Sequence, residues 1–85
     1  MEVLYVGKFT PRHHSDIYIA NAMDRYGWTV SRLDCGGDKK KVNQKIKDRV
    51  RQKKPDLLFM GKMRSIDGAY VRELKKSGVL VVTWY

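Results

Sequence analysis

Val3-Leu4-Tyr5-Val6-Gly7 stands near the start of the chain as an almost unbroken apolar run. Two similar runs follow, at Asp56–Met60 and Val79–Trp84. Continuous apolar runs of this length are typical of strands that are buried on both faces of a sheet. A fourth run, Trp28–Leu33, alternates apolar and polar residues, which predicts an edge strand with one wetter face. The sequence therefore predicts four short strands.

The stretch between the first two strands predicts a helix. Ser15 and Asp16 are both good N-caps, so we expect the helix to begin near them. Gly27 follows as a plausible stop. The predicted buried stripe of this helix consists of Ile19, Ala22, Met23 and Tyr26.

Two more helices are predicted between the later strands. Asp38 is the expected N-cap of the second helix, and Pro55 marks its end. The third helix is expected to begin near Ser65 and to stop at Gly78. Their predicted buried stripes are Val42, Ile46 and Val50 in the second helix, and Ile66, Ala69, Tyr70 and Leu74 in the third.

The alternation β-α-β-α-β-α-β predicts one domain over residues 1–85, an α/β three-layer sandwich of the small Rossmann-like or flavodoxin-like kind. Such alternation favours a parallel sheet with right-handed crossovers, and we expect the strand order 2-1-3-4. Right-handedness then places the first helix on one face of the sheet and the other two on the opposite face.

The same topology leaves strands 3 and 4 without a helix on the side of the first helix. We therefore predict an exposed apolar face that serves as an interface at Val82, Trp84 and Tyr85, either for self-association or for a C-terminal continuation of the chain. The alternative is that the first helix lies centrally and covers most of that face.

The chain has 85 residues and a formal net charge of +9, which is a common feature of nucleic-acid-binding proteins. The excess is local, because residues 39–54 hold nine basic residues and one acid. No aromatic residue interrupts this run, so base stacking is not predicted. One interpretation is a solvated helix face, and the other is binding of nucleic acid or another polyanion. The candidate polyanion-binding residues are Lys39, Lys40, Lys41, Lys45, Arg49 and Lys53.

Several classes are excluded or disfavoured by what the sequence lacks. The single cysteine, Cys35, excludes an internal disulfide framework and a cysteine-based zinc site. No secretory signal and no apolar run of about 18 residues is visible, so we expect a cytoplasmic protein that does not bind a membrane. We expect no metal. The adjacent His13 and His14 are weak candidates for a general base, against the simpler interpretation of a loop pair whose side chains diverge.

A ligand crevice is predicted where strands 1 and 3 lie side by side. Open α/β sheets bind ligands outside the carboxyl ends of their strands, at the point where the strand order reverses. Each of these two strands ends in a Gly-Lys pair, which suits an anion because glycine permits close approach and lysine supplies charge. The alternative is that both glycines are ordinary strand-to-loop residues. The candidate ligand-binding residues are Gly7, Lys8, Phe9, Gly61, Lys62 and Arg64.

No Walker A motif and no G-x-G-x-x-G pattern is present, so neither a P-loop nucleotide nor a dinucleotide cofactor is predicted.

Three segments resemble the N-terminal half of GT-B glycosyltransferases, and most closely the CgeB-like or spore-maturation-like group. The first is Val6–Pro11 with the helix that leads to Tyr26-Gly27-Trp28; the second is Pro55–Lys62; the third is Leu74–Val79 with Val82-Thr83-Trp84-Tyr85. Together they span nearly all of the chain, and their motifs are moderately specific.

The resemblance implies a sugar-transfer ancestry and an acceptor-side crevice near the two Gly-Lys pairs. Such enzymes bind the nucleotide-sugar donor mainly through a second Rossmann domain, for which 85 residues leave no room. The leading hypothesis is a glycosyltransferase-like module that binds an anionic or sugar-type ligand, such as a nucleotide-sugar or phosphate, and needs a second domain or subunit for catalysis. The alternatives are a basic nucleic-acid-binding accessory protein that acts through helix 39–54, and an assembly subunit.

Overall fold

The computed structural model describes residues 1–7, 9, 14–34, 39–61 and 68–84. In these ranges the element order is the predicted alternation of strands and helices. The elements are β1 (Glu2–Gly7), α1 (His14–Tyr26), β2 (Thr29–Asp34), α2 (Lys39–Gln52), β3 (Leu57–Gly61), α3 (Gly68–Lys76) and β4 (Leu80–Trp84).

The four strands form one all-parallel sheet in the order β2-β1-β3-β4, as predicted. The register pairs Val6 of β1 with Leu33 of β2 and with Met60 of β3. β2 is an edge strand in which only Leu33 is buried. The fold is therefore a small Rossmann-like α/β sandwich.

One face of the sheet carries the hydrophobic core. Leu4, Val6, Leu58 and Met60 point to this face and are almost fully buried. They form one cluster with the buried stripe of α2 and with Leu74 of α3, while Val50, Tyr70 and Val81 pack at its margin. The prediction that α2 and α3 share one side of the sheet is confirmed.

The opposite face is covered by α1. The register places Val3 and Tyr5 of β1 on this face, with Leu57 and Phe59 of β3 beside them. The Tyr5 hydroxyl donates a hydrogen bond to Asp16 in the first turn of α1, and the Ala20 side chain is fully buried. This placement of α1 is also the predicted one.

Two helices end at glycines that adopt the left-handed conformation. Gly27 has a φ of 100° and Gly78 a φ of 93°. Residues other than glycine are strained in this conformation, which explains why each helix stops where it does. After α3, the Val79 amide donates to the Leu74 carbonyl and so satisfies one of the free C-terminal acceptors. Both predicted stops are confirmed.

The predicted buried stripe of α1 was partly wrong. Ala22 and Tyr26 are exposed, and the buried positions are Asp16 and Ala20. The reason is the hydrogen bond from Tyr5, because it turns the helix so that Asp16 faces the sheet instead of capping the helix from outside. The Tyr26 ring lies instead against Trp28, with ring centroids 5.3 Å apart.

The start of α3 also differs from the prediction. The helix begins at Gly68, while Ser65 and Ile66 lie outside the residues that the structure describes. Ala69 is exposed, whereas Tyr70 is half-buried and Leu74 is buried. The face of α3 that carries Tyr70 and Leu74 packs on the sheet, and Ala69 lies outside this face.

The predicted open apolar face is limited to β4. Leu80 is 61% exposed and Val82 is 43% exposed. On β3 the same face is covered, because Leu57 is buried and the Phe59 ring lies 4.9 Å from the Tyr5 ring. At β3, therefore, α1 covers the face, as in the alternative in which this helix lies centrally. At β4 the face is exposed, as the main prediction stated. Tyr85 lies outside the described residues.

Candidate functional site

The two strand-ending glycines lie side by side. Gly7 and Gly61 each follow directly after the paired residues Val6 and Met60 on the adjacent strands β1 and β3. Both therefore stand at the carboxyl edge of the sheet, at the point where the strand order reverses. We call the region outside these two strand ends the crevice. α1 begins at His14, on the same side, and its first amides carry a positive partial charge.

Gly7 is required by the packing of α1. A Cβ at this position would lie 2.6 Å from Asp16 Oδ2 and 2.8 Å from Cε1 of Tyr5. Both distances are shorter than the van der Waals contact distance of a Cβ atom. The first turn of α1 can therefore approach β1 this closely only because Gly7 lacks a side chain. The sequence suggested that a ligand approaches the backbone of Gly7 closely. In the structure the Asp16 side chain makes a close approach to Gly7.

A buried polar pair lies beside Gly7. Asp16 is 8% exposed, and its Oδ1 accepts the hydroxyl hydrogen bond of Tyr5 at 2.7 Å. A buried carboxylate is costly unless it is hydrogen-bonded, so this contact holds the first turn of α1 on the sheet. Sequence reasoning assigned Asp16 to a cap and Tyr5 to the core. The available signal was that Asp16 lies one helical turn before the buried Ala20.

An aromatic cluster extends from this pair towards the crevice. The Tyr5 ring contacts Phe59 and also Phe9, whose ring centroid is 5.3 Å away. Phe9 directly follows the β1–Lys8 segment and is half-buried. Its role as a crevice residue stays a prediction.

Arg32 is a cation at this site that sequence reasoning did not select. Its guanidinium carbon lies 5.7 Å from the centre of the Phe9 ring, within cation–π range. Its Nη2 donates to Asn21 at 2.7 Å and to Asp24 at 3.1 Å. These contacts hold the Arg32 side chain on the α1 side of β2. In the sequence, Arg32 was recognised only as a polar residue on one face of the predicted edge strand.

Several predicted site residues lie outside the part of the chain that the structure describes. They are Lys8, His13, Lys62 and Arg64, together with Tyr85 of the predicted interface. His14 is the first residue of α1, and Trp84 is the last residue of β4. Of the predicted ligand-binding set, the structure places Gly7 and Gly61 side by side, and it places the Phe9 ring against Tyr5 and Arg32.

Five of the six predicted polyanion-binding residues have exposed side chains on α2 or directly after it. Lys39 opens α2, and the side chains of Lys40, Lys41, Lys45, Arg49 and Lys53 are all exposed. They point outwards because Val42 and Ile46 point into the core. Lys53 Nζ lies 3.3 Å from Glu2 Oε1, a solvent-exposed pair that contributes little to stability.

α2 and α3 meet in a groove that contains a tyrosine among charged residues. Lys47 Nζ lies 5.3 Å from the centre of the Tyr70 ring. Arg51, Val50 and Glu73 line the same groove. Burial raises the pKa of the Tyr70 hydroxyl above its usual value, and the negative charge of Glu73 raises it further, while Arg51 opposes both effects.

A small cavity lies at the opposite edge of the sheet from the crevice. Its volume is about 140 Å³, and its lining includes Glu2, Leu4, Arg49, Lys53 and Pro55. Glu2 begins β1, so this cavity is at the amino ends of the strands. Ligands of open α/β sheets bind at the other edge, and we assign this cavity no role.

Neither a metal centre nor a membrane helix is found in the described ranges. Within residues 1–7, 9, 14–34, 39–61 and 68–84, no group of three or more His, Cys, Asp or Glu side chains is placed to hold a metal ion. In the same ranges, no helix combines the length and apolar character that crossing a bilayer requires.

Comparison with models of known protein families gives no match for this chain, and comparison with curated proteins gives no significant match either.

Proposed function

We propose that the chain is a glycosyltransferase-like N-terminal Rossmann module that binds an anionic or sugar-type ligand in the crevice. The observation that carries the proposal is the position of Gly7 and Gly61, side by side at the carboxyl edge of a sheet with the order β2-β1-β3-β4. In open α/β sheets this is the place where ligands bind. The resemblance of three sequence segments to GT-B glycosyltransferases supports a sugar or sugar-phosphate as the ligand class.

The described side chains at the crevice suit a ligand that combines an apolar face with polar groups. Phe9 offers an aromatic surface, and Arg32 holds a positive charge within 5.7 Å of the centre of that ring. The Tyr5–Asp16 pair acts by positioning, because it holds the N-terminal turn of α1 against the end of β1. Such a mixture of an aromatic wall and a few fixed polar groups is characteristic of small-molecule sites.

The proposed role is binding rather than complete catalysis. In the family that the sequence resembles, the donor lies mainly on a second domain, so sugar transfer would need a second domain or subunit. His13 and His14 remain the candidates for a general base on this module. The expected self-association through Val82, Trp84 and Tyr85 and the expected cytoplasmic location also remain predictions.

An amide NMR titration tests the proposal. The probes are UDP-glucose, UDP and inorganic phosphate, each to about 5 mM, which detects even millimolar affinity. We expect UDP-glucose to shift the amides of Gly7, Phe9 and Gly61. Phe9→Ala should weaken binding roughly three- to tenfold through the loss of aromatic contact. Tyr26→Ala, an exposed aromatic at the far end of α1, is the matched control and should leave the affinity unchanged.

Two results would overturn the proposal. One is the absence of shifts at the three crevice amides with all three probes. The other is an equal loss of affinity in Phe9→Ala and Tyr26→Ala, which would place the ligand elsewhere. If phosphate and UDP shift these amides and UDP-glucose binds no more tightly than UDP, the ligand is anionic and the sugar is rejected.

A further inference from the structure

The fold concentrates the positive charge of the whole chain on one side of the sheet. Residues 39–54 hold nine basic residues against one acid, and Gly68–Lys76 hold three against one, so these two segments carry +10. The chain as a whole carries +9, so all remaining residues together sum to −1. α2 and α3 lie on the same side of the sheet. The molecule therefore has one strongly basic side, and the rest of the sequence is nearly neutral in sum.

The cations of residues 39–54, on α2 and directly after it, are arranged in regular lines along the helix axis. Lys41, Lys45, Arg49 and Lys53 follow one another at intervals of four residues, and all four side chains are exposed. Four residues of α-helix rise about 6 Å, so the charges form a ladder along the helix axis. A second line, Lys47, Arg51 and Lys54, runs beside α3.

α3 adds charge to the same surface, which the sequence alone did not indicate. Arg72, Lys75 and Lys76 of α3 are exposed. The Lys54 ammonium donates to the carbonyl of Ser77, directly after α3, and so ties the ends of the two helices together. We call the exposed cations of residues 40–54 and of α3 the basic face.

Lys53 forms a solvent-exposed ion pair with Glu2 at 3.3 Å, and such a pair neutralises little of the charge of the basic face. Asp48 accepts a hydrogen bond from Gln44 at 3.0 Å, and Glu73 lies in the groove beside Tyr70. The contrast is Arg32 on the α1 side, which is held by both Asn21 and Asp24. Concentrated like charges on one side repel one another, so a polyanion that lies along them would relieve this repulsion.

We propose that the basic face binds the phosphate backbone of nucleic acid, as a surface separate from the crevice and independent of the ligand proposed there. A ladder of lysine and arginine matches a chain of evenly spaced phosphates, and binding releases the counterions of those phosphates. A bilayer fits less well, because the apolar residues of α2, Val42, Ile46 and Val50, are packed against the sheet and leave no apolar stripe to insert. Without aromatic residues along the ladder, the binding is independent of base sequence.

Fluorescence anisotropy with a labelled 20-base-pair duplex DNA tests this proposal. The affinity should fall with salt, and four neutralised phosphates predict a loss on the order of a hundredfold between 50 and 200 mM salt. Lys45→Glu and Arg49→Glu should each weaken binding severalfold and reduce the salt slope by about one or more. Arg25→Glu is the matched control, since it makes the same charge change on an exposed residue of α1 and should have a much smaller effect.

Three results would overturn the proposal. The first is no binding of the duplex at 50 mM salt. The second is an equal loss in Arg25→Glu and Lys45→Glu, which would indicate a response to net charge only. The third is binding to vesicles of phosphatidylserine and phosphatidylcholine, but not to the duplex, with the same dependence on Lys45 and Arg49. A circular dichroism melt of each variant ensures that the fold is intact.

Binding at the crevice is scored separately. If Lys45→Glu loses the duplex but keeps the UDP-glucose shifts at Gly7 and Gly61, the two surfaces are independent as proposed. If UDP-glucose, UDP and phosphate all fail to shift the crevice amides, the function proposed for the crevice is wrong. The proposal for the basic face is then still decided by the duplex measurement alone.

Discussion

At the scale of single residues, the contact between β1 and α1 depends on a small set of atoms. Gly7 provides the space, Asp16 fills it, and the Tyr5 hydroxyl satisfies one carboxylate oxygen of Asp16. The buried carboxylate of Asp16, in the first turn of α1, limits how the helix can rotate, because another rotation would leave this group without its hydrogen bond to Tyr5. The position of the crevice edge therefore follows from three residues.

Gly7→Ala should destabilise the protein by about 1–3 kcal/mol, because the added methyl group overlaps the Asp16 carboxyl and the Tyr5 ring. Urea denaturation measures the change in the free energy of unfolding. Gly68→Ala is the matched control, since a Cβ there meets nothing within 4 Å. It should be neutral or stabilising by up to about 1 kcal/mol. Equal effects of the two substitutions would contradict the packing described for Gly7.

At the scale of elements, α2 and α3 meet through a groove that mixes a phenol with opposite charges. The helices are amphipathic in the usual sense, with Ile46 and Leu74 buried and most basic residues exposed. The groove between them is different, because Lys47, Arg51 and Glu73 surround the half-buried ring of Tyr70. The ionisation of Tyr70 therefore reports on the packing of one helix against the other.

Glu73→Gln should lower the pKa of Tyr70, because it removes a negative charge that disfavours the phenolate, and Arg51→Gln should raise it. NMR titration of ¹³Cζ-labelled tyrosine measures both shifts. Since the pKa of Tyr70 is raised in the folded state, its contribution to stability is present below about pH 10 and is lost as the pH rises through the folded pKa. A higher Tyr70 pKa in Glu73→Gln, or a lower one in Arg51→Gln, would refute the described groove.

At the scale of the whole molecule, the charge distribution is one-sided. The segments on the α2 and α3 side carry the entire excess, and the rest of the chain is close to neutral. Repulsion within one surface opposes the compact state, and salt weakens that repulsion because the Debye length is about 10 Å at 0.1 M. The same asymmetry orients the molecule towards an anionic partner.

Salt should therefore stabilise the protein. We expect the free energy of unfolding to rise by several tenths of a kcal/mol or more between about 20 and 200 mM NaCl. Lys45→Glu should be more stable than the parent chain at low salt, and this gain should shrink as salt is added. Arg25→Glu, on the nearly neutral side, should show no comparable gain. Urea denaturation at the two salt concentrations decides between these outcomes, and a parent chain that loses stability with salt would contradict them.

Much of the architecture could be predicted because it depends on local patterns. The continuous apolar runs predicted the strands, the stripe Val42–Ile46–Val50 predicted which side of α2 is buried, and Gly27 and Gly78 predicted two helix ends. For the expected strand order, which is the observed one, the handedness of crossovers then predicted which face of the sheet each helix covers. Errors occurred in α1, where a charged residue occupies the buried side and an apparently apolar stripe is partly exposed, and in α3, where Ala69 is exposed.

What the sequence by itself determined is the set of strands and helices, their parallel order and the pairing of two Gly-ended strands. These follow from periodicity and chain handedness, which act over a few neighbouring residues. Only the tertiary structure decided that Asp16 is a buried partner of Tyr5, that Arg32 lies over Phe9, and that α3 extends the basic face of α2. Each of these contacts joins residues from different elements, and their distances depend on how the helices dock on the sheet, which no local pattern encodes.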